Sequence, residues 1–331
     1  MKFIYDLASR SSLTLFTSLF LFLFLAQPGL AAPRPPYLLY SGLQGASGST
    51  IGPDGALYVT EGMVGRISRV DPDSGAISTY ASGLPPSIIP IGGVVDVEFI
   101  DNVAYALVTL VGTDLGGNSV VGIYRVDGPT TFTVIADIGQ YSTQHPPATP
   151  YDLPTGLQYA LESYRGTLLV TDGHHNRVLR VTLDGLISEL GTFGNIVPTG
   201  LAVWGEHVYM AEAGPVPHHS QDGKVVSFTE KSHIRQVASG APLLVDVEFG
   251  PNRKLFALAQ GTYGGGGAGS PAIPGTGSLV EANANGRMQV IADQLNLPTS
   301  LEFIGNTAFV ISLAGEIWKI DVSSPPFGRR H

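Results

Sequence analysis

Short runs of alternating apolar and polar residues fill most of the chain and recur in a fixed order. Runs such as LYV at 57–59 and VYM at 208–210 follow turns such as GPDG at 52–55. Alternation with period two, rich in β-branched and aromatic residues, is typical of β-strands. No amphipathic helix is expected after the first 31 residues. The pattern therefore predicts an all-β protein.

An internal repeat organises these strands. Five segments open alike, and a sixth, divergent one begins at Ser49; the five are aligned on Val95, Thr155, Thr199, Val245 and Thr299. Their spacings of 44 to 60 residues match the period of propeller blades. Each unit continues with further strands, so that four antiparallel strands recur six times. The repeat predicts a six-bladed β-propeller.

The two ends of the repeat predict how the ring closes. The last unit supplies only three strands and ends at Asp321, whereas YLLYSGL at 37–43 matches a fourth-strand segment, TYASGL, at 79–84. The N-terminal strand is therefore expected to complete the last blade, which removes the open edges of a linear array. An open solenoid or two sandwiches are the alternatives. The propeller is assigned to residues 32–322, and 323–331 form a C-terminal tail.

Residues 1–31 have the features of an export signal. Lys2 and Arg10 are basic, an apolar stretch follows at 13–26, and Ala31 offers a small residue for cleavage. A membrane anchor is the alternative, but the stretch is shorter than the roughly 20 residues that span a bilayer. The sequence predicts a periplasmic or secreted protein with no membrane span after cleavage.

Composition narrows the classes of partner and chemistry. The net charge of −9 disfavours nucleic acid and anionic lipid. Cysteine is absent, which excludes disulfides and thiolate chemistry. The chain also contains no nucleophile elbow, zinc-binding His-Glu-x-x-His motif or phosphate-binding loop.

The loops that join second and third strands vary most in length, and the longest lies in the fifth blade at 260–278. Long loops on a rigid scaffold usually carry function, so we expect the site on this face, around the axis.

Acidic residues on the first strands are expected to meet at this axis. Blades two and five lie opposite each other in a ring of six, and both carry a VDVEF strand whose acids, at i and i+2, point to one side. Gln158 is aligned with the second acid of this pattern. The candidates are Asp96, Glu98, Asp246, Glu248 and Glu302.

Clustered carboxylates raise one another's pKa unless a cation joins them, and calcium suits an oxygen-rich site. Calcium is thus the candidate cofactor, with Asp96 and Asp246 as candidate ligands. The alternative is that the acids cap turns or line a water-filled channel.

A second group of candidates follows the second strands. Glu61, Asp172 and Glu212 come directly after these strands, where an acid often accepts hydrogen bonds from loop amides, and this structural role is favoured. The histidine pairs occupy the same loop class in adjacent blades: His174, His175, His218 and His219. Imidazoles near carboxylates bind transition metals or act as general acids and bases, and solvated histidines are the alternative. Adjacent histidines usually point opposite ways, so at most one of each pair is expected to face inward.

Several motifs carry a resemblance to known families. VTDGHHNRVLRVTLDG at 170–185 resembles an NHL repeat, and the PTGL openings are similar to those of the six-bladed SMP-30/gluconolactonase and strictosidine synthase-like group. GPDGALYVTEG at 52–62, GRISRVDPDSG at 65–75, the paired VDVEF strands and YMAEAG at 209–214 resemble the ScyD/ScyE family of exported cyanobacterial proteins, which is associated with biosynthesis of the pigment scytonemin. This resemblance implies handling or oxidative maturation of an aromatic metabolite outside the cytoplasm.

The metal site of SMP-30-type lactonases is not reproduced in this chain. Those enzymes use a Glu, Asn and Asp set on inner strands, and the matching positions here are Asp96, Gly156, Gly200, Asp246 and Ser300.

Two functions remain open. One is an extracytoplasmic enzyme or accessory factor of secondary metabolism that takes a small aromatic metabolite. The other is a non-catalytic module that binds a ligand or another exported protein. Converging acids and histidines with shifted pKa values would favour chemistry. An exposed apolar patch around Tyr263 would favour binding.

Overall fold

The computed structural model of this protein describes residues 35–267 and 269–323. In this part of the chain, 24 strands form six antiparallel sheets of four strands each. Strand β1 spans Tyr37–Ser41. The first blade contains β2 (Ala46–Ile51), β3 (Leu57–Glu61), β4 (Arg66–Val70) and β5 (Ile77–Ser82). The second contains β6 (Gly93–Ile100), β7 (Val103–Thr109), β8 (Gly122–Gly128) and β9 (Thr131–Asp137).

The third blade contains β10 (Gln158–Tyr164), β11 (Thr167–Asp172), β12 (Arg177–Val181) and β13 (Ile187–Thr192). The fourth contains β14 (Pro198–Trp204), β15 (His207–Glu212), β16 (Lys224–Thr229) and β17 (Ser232–Ser239). The fifth contains β18 (Leu244–Phe249), β19 (Leu255–Ala259), β20 (Gly277–Ala282) and β21 (Met288–Leu295). The sixth contains β22 (Pro298–Ile304), β23 (Thr307–Ser312), β24 (Glu316–Asp321) and β1.

Ring closure follows the sequence prediction. Strand β1 pairs antiparallel with β24, placing Leu38 opposite Trp318. The amides of Gly42 and Leu43 then donate to the carbonyl of Gly315 at 2.9 and 3.1 Å. The same Ser-Gly-Leu sequence ends β5, where it makes the equivalent bonds within one continuous blade. The innermost strands β2, β6, β10, β14, β18 and β22 contact one another in turn, and β22 contacts β2. The six-bladed propeller is therefore confirmed.

The apolar core lies between neighbouring sheets. In the described residues, each of six clusters of buried side chains draws on two adjacent blades. Leu57 and Val59 of the first blade, for example, pack with Phe309 and Ile311 of the last. A twisted sheet with one neighbour missing would expose such a face, so each blade depends on both its neighbours.

One element departs from the sequence prediction. A short helix, α1 (Ile138–Gln144), follows β9, although no helix was expected there. Asp137 ends the strand and caps the helix, because its carboxylate accepts a hydrogen bond from the amide of Gln140 at 2.8 Å. A cap residue inside an otherwise strand-like run redirected the chain, and the alternation pattern could not show this.

The predicted export signal at 1–31 and nearly all of the predicted tail at 323–331 lie outside the described residues. Among the described residues, helices are all too short or too polar to cross a bilayer.

Candidate functional site

Asp96 and Asp246 tie inner strands together on opposite sides of the axis. One carboxylate oxygen of Asp96 accepts from the amide of Leu161 in the next blade at 2.7 Å. Asp246 accepts from the amide of Leu301 in its own next blade, also at 2.7 Å. The other oxygen of each aspartate accepts from the amide that follows it in the chain. Both side chains therefore join blades, in the manner of the capping role considered above.

The preceding blades leave space for these two carboxylates. A Cβ atom added at Gly48 would lie 2.2 Å from Asp96 Oδ1, and one added at Gly200 would lie 2.5 Å from Asp246 Oδ1. Glycine is thus required at both positions by close approach. In the third blade the strand register places Ala160 at the position of Asp96. The assignment of Gly156 to that position was therefore wrong.

Four glutamates occupy one strand position two residues further along the inner strands. The register aligns Glu162 with Glu98, which corrects the assignment of Gln158 to this position. The PTGL motif of the third blade precedes the strand, which begins only at Gln158. Counting back from the hairpin turn at Arg165 reveals the glutamate. The ring consists of Glu98, Glu162, Glu248 and Glu302.

Burial and mutual repulsion raise the pKa values of these carboxyls. Burial is the largest cause throughout, and it raises the pKa of Glu98 and of Asp246 to about 7 and that of Glu248 to about 8. The pKa values of Glu162 and Glu302 are raised well above the ordinary range by burial and then by the surrounding acids. The hydroxyl of Thr50 donates to Glu98 at 3.0 Å and partly offsets this. Several of these groups therefore hold protons near neutral pH.

The geometry gives no support to calcium at Asp96 and Asp246. Both oxygens of each carboxylate already accept backbone hydrogen bonds, whereas calcium takes six to eight oxygen ligands. Within the described ranges, no group of three or more acidic or histidine side chains is arranged to hold a metal ion. Calcium stays a prediction, which calorimetric titration into metal-stripped protein tests directly.

The protein is expected to lose stability as the pH rises from about 5 to 8. Glu98, Asp246 and Glu248 have folded pKa values of about 7, 7 and 8, above their ordinary values of 4.5, 3.8 and 4.5. In this window the folded chain binds more protons than the unfolded chain, so the free energy of unfolding falls with rising pH. The Tm should drop by roughly 5–10 °C across it, measured by differential scanning calorimetry.

Glu248→Gln supplies the matched test of this pH dependence. Because glutamine mimics the protonated acid, the variant should be more stable than the wild type at about pH 8 and should show a shallower fall. Asp293→Asn, on an exposed residue, is the control and should leave the slope unchanged. A Tm that rises between pH 5 and 8 would contradict the proposed protonation of these buried carboxyls.

The acids after the second strands are enclosed. The carboxylate of Asp172 is fully buried and accepts from Arg177 at 2.9 Å. His175 lies against the same carboxylate, with its Nε2 2.8 Å from the carbonyl oxygen of Leu153. Gln158 also donates to Asp172, at 3.2 Å. Asp172 and His175 thus belong to an internal network in the third blade.

Glu212 holds the corresponding position in the fourth blade, opposite Lys224. It is 4% exposed, and burial raises its pKa to about 7, although the charge of Lys224 lowers it. This carboxyl is not among the residues that line the cavities described below.

An axial chamber opens on the loop face. Its volume is about 170 Å³, and Asp96 and Asp246 are among the residues that line it. The four glutamates are absent from its lining and lie further along the same strands. Its wall is largely apolar, with side chains that include Met63, Pro90, Ile91, Leu110, Leu157 and Leu313.

A side chamber of about 320 Å³ adjoins it between the third and fourth blades and the fifth-blade loop, residues 260–276. Tyr159, Val245, Gln260 and Gly269 line both chambers. The predicted location of the site, on the face of the long loops, is thus where both cavities lie. Polar side chains of the side chamber include Tyr151, Asp152, His174, Asn176, Asn195 and His218.

The two members of each histidine pair lie in different surroundings. His174 and His218 line the side chamber, whereas His175 faces the internal network and His219 is exposed to solvent. His218 is buried, packs edge-on against Tyr263, and has its Nδ1 3.3 Å from the carbonyl oxygen of Ala213.

Sequence reasoning missed Tyr159 and Gln260, which line both chambers. Tyr159 lies at the inner-strand position held by Thr199 in the fourth blade, and the four-residue error in register concealed it. Gln260 immediately follows a second strand, as the acidic candidates do, but a neutral amide does not indicate a site in the sequence.

Comparisons with known proteins agree on the fold. A gluconolactonase from Xanthomonas campestris is 12% identical, with a TM-score of 0.61 over 88% of this chain and 90% of that one. An aldose sugar dehydrogenase from Streptomyces coelicolor, solved with PQQ bound, is 13% identical, with a TM-score of 0.59 over 88% and 99%. Virginiamycin B lyase from Staphylococcus aureus is 17% identical, with a TM-score of 0.54 over 86% and 98%. No family model and no curated protein matches the chain. These identities show the six-bladed fold alone.

Proposed function

We propose that this protein is an extracytoplasmic enzyme or accessory factor of secondary metabolism that binds a small aromatic metabolite in the axial chamber. The observation that carries the proposal is a largely apolar cavity at the centre of the loop face, which shares part of its lining with a more polar one. An apolar cavity of about 150 Å³ can hold one benzene ring, so the axial chamber has room for one aromatic ring. A larger ligand would extend into the side chamber.

Electrostatics restrict the ligand further. Any aspartate lining the axial chamber, or glutamate beyond it, that is ionised disfavours an anion at its inner end, and the largely apolar wall disfavours any charged group that it leaves unpaired. A neutral aromatic molecule is therefore the class that this chamber fits. The ScyD/ScyE resemblance, which implies an exported protein acting on an aromatic metabolite, supports the same class. Three structural neighbours are named as a lyase, a dehydrogenase and a gluconolactonase, which supports a small-molecule site in this fold.

The alternative, a non-catalytic binding module, has less support. From the sequence, such a module was expected to show an exposed apolar patch around Tyr263. The Tyr263 ring instead packs on His218, and its hydroxyl donates to the carbonyl of Gly266. Two of the candidate acids, Asp96 and Asp246, and two of the histidines, His174 and His218, line the cavities, which favours a site that performs chemistry.

Binding of 2-methoxynaphthalene tests this proposal, because the molecule is neutral, aromatic and unable to donate a proton. We expect saturable binding by isothermal titration calorimetry. Leu313→Trp, which fills part of the axial chamber, should weaken binding at least tenfold. Leu186→Trp makes the same change on a 68% exposed side chain and should leave affinity unchanged. Absence of binding, or equal binding by both variants, would overturn the proposal.

A further inference from the structure

Tyr159 and His174 meet in the wall between the two chambers. The hydroxyl oxygen of Tyr159 is 3.3 Å from His174 Nε2, and the two rings pack edge to face. The tyrosine lines both chambers and the histidine lines the side chamber. A Cβ atom added at Gly173 would lie 2.4 Å from the tyrosine ring, so the local sequence accommodates that ring closely. The pair is held by inner-strand β10 and the loop after β11.

The surroundings set the proton occupancy of the pair. Burial is the main cause that lowers the pKa of His174, and His175 and His218 act in the same direction. Asp172 and Asp152 oppose this shift. The imidazole is thus neutral at pH 7, and a neutral ring has one nitrogen that accepts a proton. Burial raises the pKa of Tyr159, so its hydroxyl stays protonated and can donate a hydrogen bond.

We propose that Tyr159 and His174 form a proton-transfer pair for a neutral hydroxylated aromatic ligand, whose ring occupies the axial chamber and whose hydroxyl reaches the side chamber. This inference rests on the proposed function. It adds the ligand's functional group and the residues that act on it. A base within hydrogen-bond reach of a ligand hydroxyl is the arrangement that general base catalysis requires.

The proton-transfer step is balanced without any other reactant. The ligand O–H bond breaks and its proton bonds to His174 Nε2, which leaves a ligand oxyanion beside an imidazolium. The Tyr159 hydroxyl, released from the histidine, donates its hydrogen bond to that oxyanion. No electrons leave the ligand, and the reverse transfer restores the starting state. The oxyanion forms on the side-chamber wall, which Asp152 also lines, and beside the imidazolium that balances its charge.

A photoacid makes this transfer visible. 2-Naphthol becomes a much stronger acid in its excited state, so a base in contact with its hydroxyl takes the proton and the emission changes to that of the naphtholate. We expect protein-bound 2-naphthol at pH 7 to emit mainly as naphtholate. In His174→Gln the bound probe should emit mainly as neutral naphthol, with at least a fivefold fall in the naphtholate-to-naphthol ratio. Tyr159→Phe should give an intermediate ratio, because the base remains but the donor to the oxyanion is lost.

The controls separate this inference from the proposed function. His219→Gln changes an exposed histidine that lines neither chamber, and this variant should keep the wild-type emission ratio. His219→Gln should also bind 2-methoxynaphthalene as the wild type does by calorimetry, and the emission ratio of each site variant is measured at saturating 2-naphthol, so that a change in affinity does not enter the ratio. If 2-methoxynaphthalene binds but the ratio is unchanged in His174→Gln, the proton-transfer inference is wrong and the proposed function stands. If neither probe binds the wild type, the proton-transfer inference and the proposed function are both wrong.

Discussion

Gly315→Ala is expected to destabilise the protein by about 3 kcal/mol, because the added methyl group displaces the segment that closes the ring. Gly315 has φ of +79°, and a Cβ atom there would lie 2.1 Å from the carbonyl oxygen of Leu43. Its own carbonyl accepts the two amides that anchor the segment after β1. Displacing this segment would separate β1 from β24 and open the sheet edge. Urea unfolding followed by tryptophan fluorescence measures the effect, in a Trp204→Phe background so that the signal comes from Trp318, which pairs with Leu38.

Gly305→Ala is the matched control for this prediction. Gly305 lies in the same blade with φ of +59°, but nothing lies within 4 Å of an added Cβ atom. The variant should therefore show only the backbone strain of a left-handed alanine, about 1 kcal/mol. Limited proteolysis provides a second measurement, since a detached β1 should be cleaved before residue 42 in Gly315→Ala only. Equal loss of stability in the two variants would mean that closure at Gly315 is not a principal source of stability.

Arg177→Met is expected to lower the free energy of unfolding by about 3–5 kcal/mol. The guanidinium is fully buried and donates to Asp172 at 2.9 Å, to Glu189 at 2.8 Å and to the carbonyl of His145 at 2.8 Å. Its removal leaves a buried carboxylate without its cation, and that uncompensated charge is the main reason for the loss. Chemical denaturation at pH 7 measures the change.

The first blade supplies the comparison for this network. Arg66 pairs with the buried Glu61 at the same register position, but its side chain is 31% exposed. Glu61 also keeps hydrogen bonds from Ser68 and from the amide of Gln44, so Arg66→Met should lose only about 1–2 kcal/mol. The double variant Asp172→Asn/Arg177→Met should recover part of the loss, since the orphaned charge is gone. A loss in Arg177→Met no larger than that in Arg66→Met would contradict the account.

The candidate site and the scaffold use acids in separate ways. Asp96 and Asp246 hold blades together through backbone amides, and Asp172 neutralises a buried arginine. These contacts give a structural role to Asp96 and Asp246, which were candidate calcium ligands from spacing alone, and to Asp172, for which that role was already favoured. The residues that we assign to the ligand are instead Tyr159 and His174, next to the apolar chamber.

Much of the site could be located from the sequence, but its members could not all be identified. The long fifth-blade loop correctly indicated the face on which both chambers lie. His174 and His218 were candidates from the start, whereas Tyr159 and Glu162 were missed. The reason is that the PTGL motif of the third blade lies before its strand, so aligning motifs displaced the register by four residues. Register is fixed by hairpin pairing, which motif similarity does not report.

The sequence by itself determined the six blades and the closure by β1. Both follow from local alternation, turn residues and one missing strand, which are properties of neighbouring positions in the chain. Only the tertiary structure decided which carboxyls share the axis, which are neutralised and which line a cavity. Burial and charge pairing depend on residues brought together from different blades, as Asp96 and Leu161 are. An acid on an inner strand can therefore join two blades through a backbone amide or belong to the ring of protonated glutamates. The local sequence pattern cannot distinguish these outcomes.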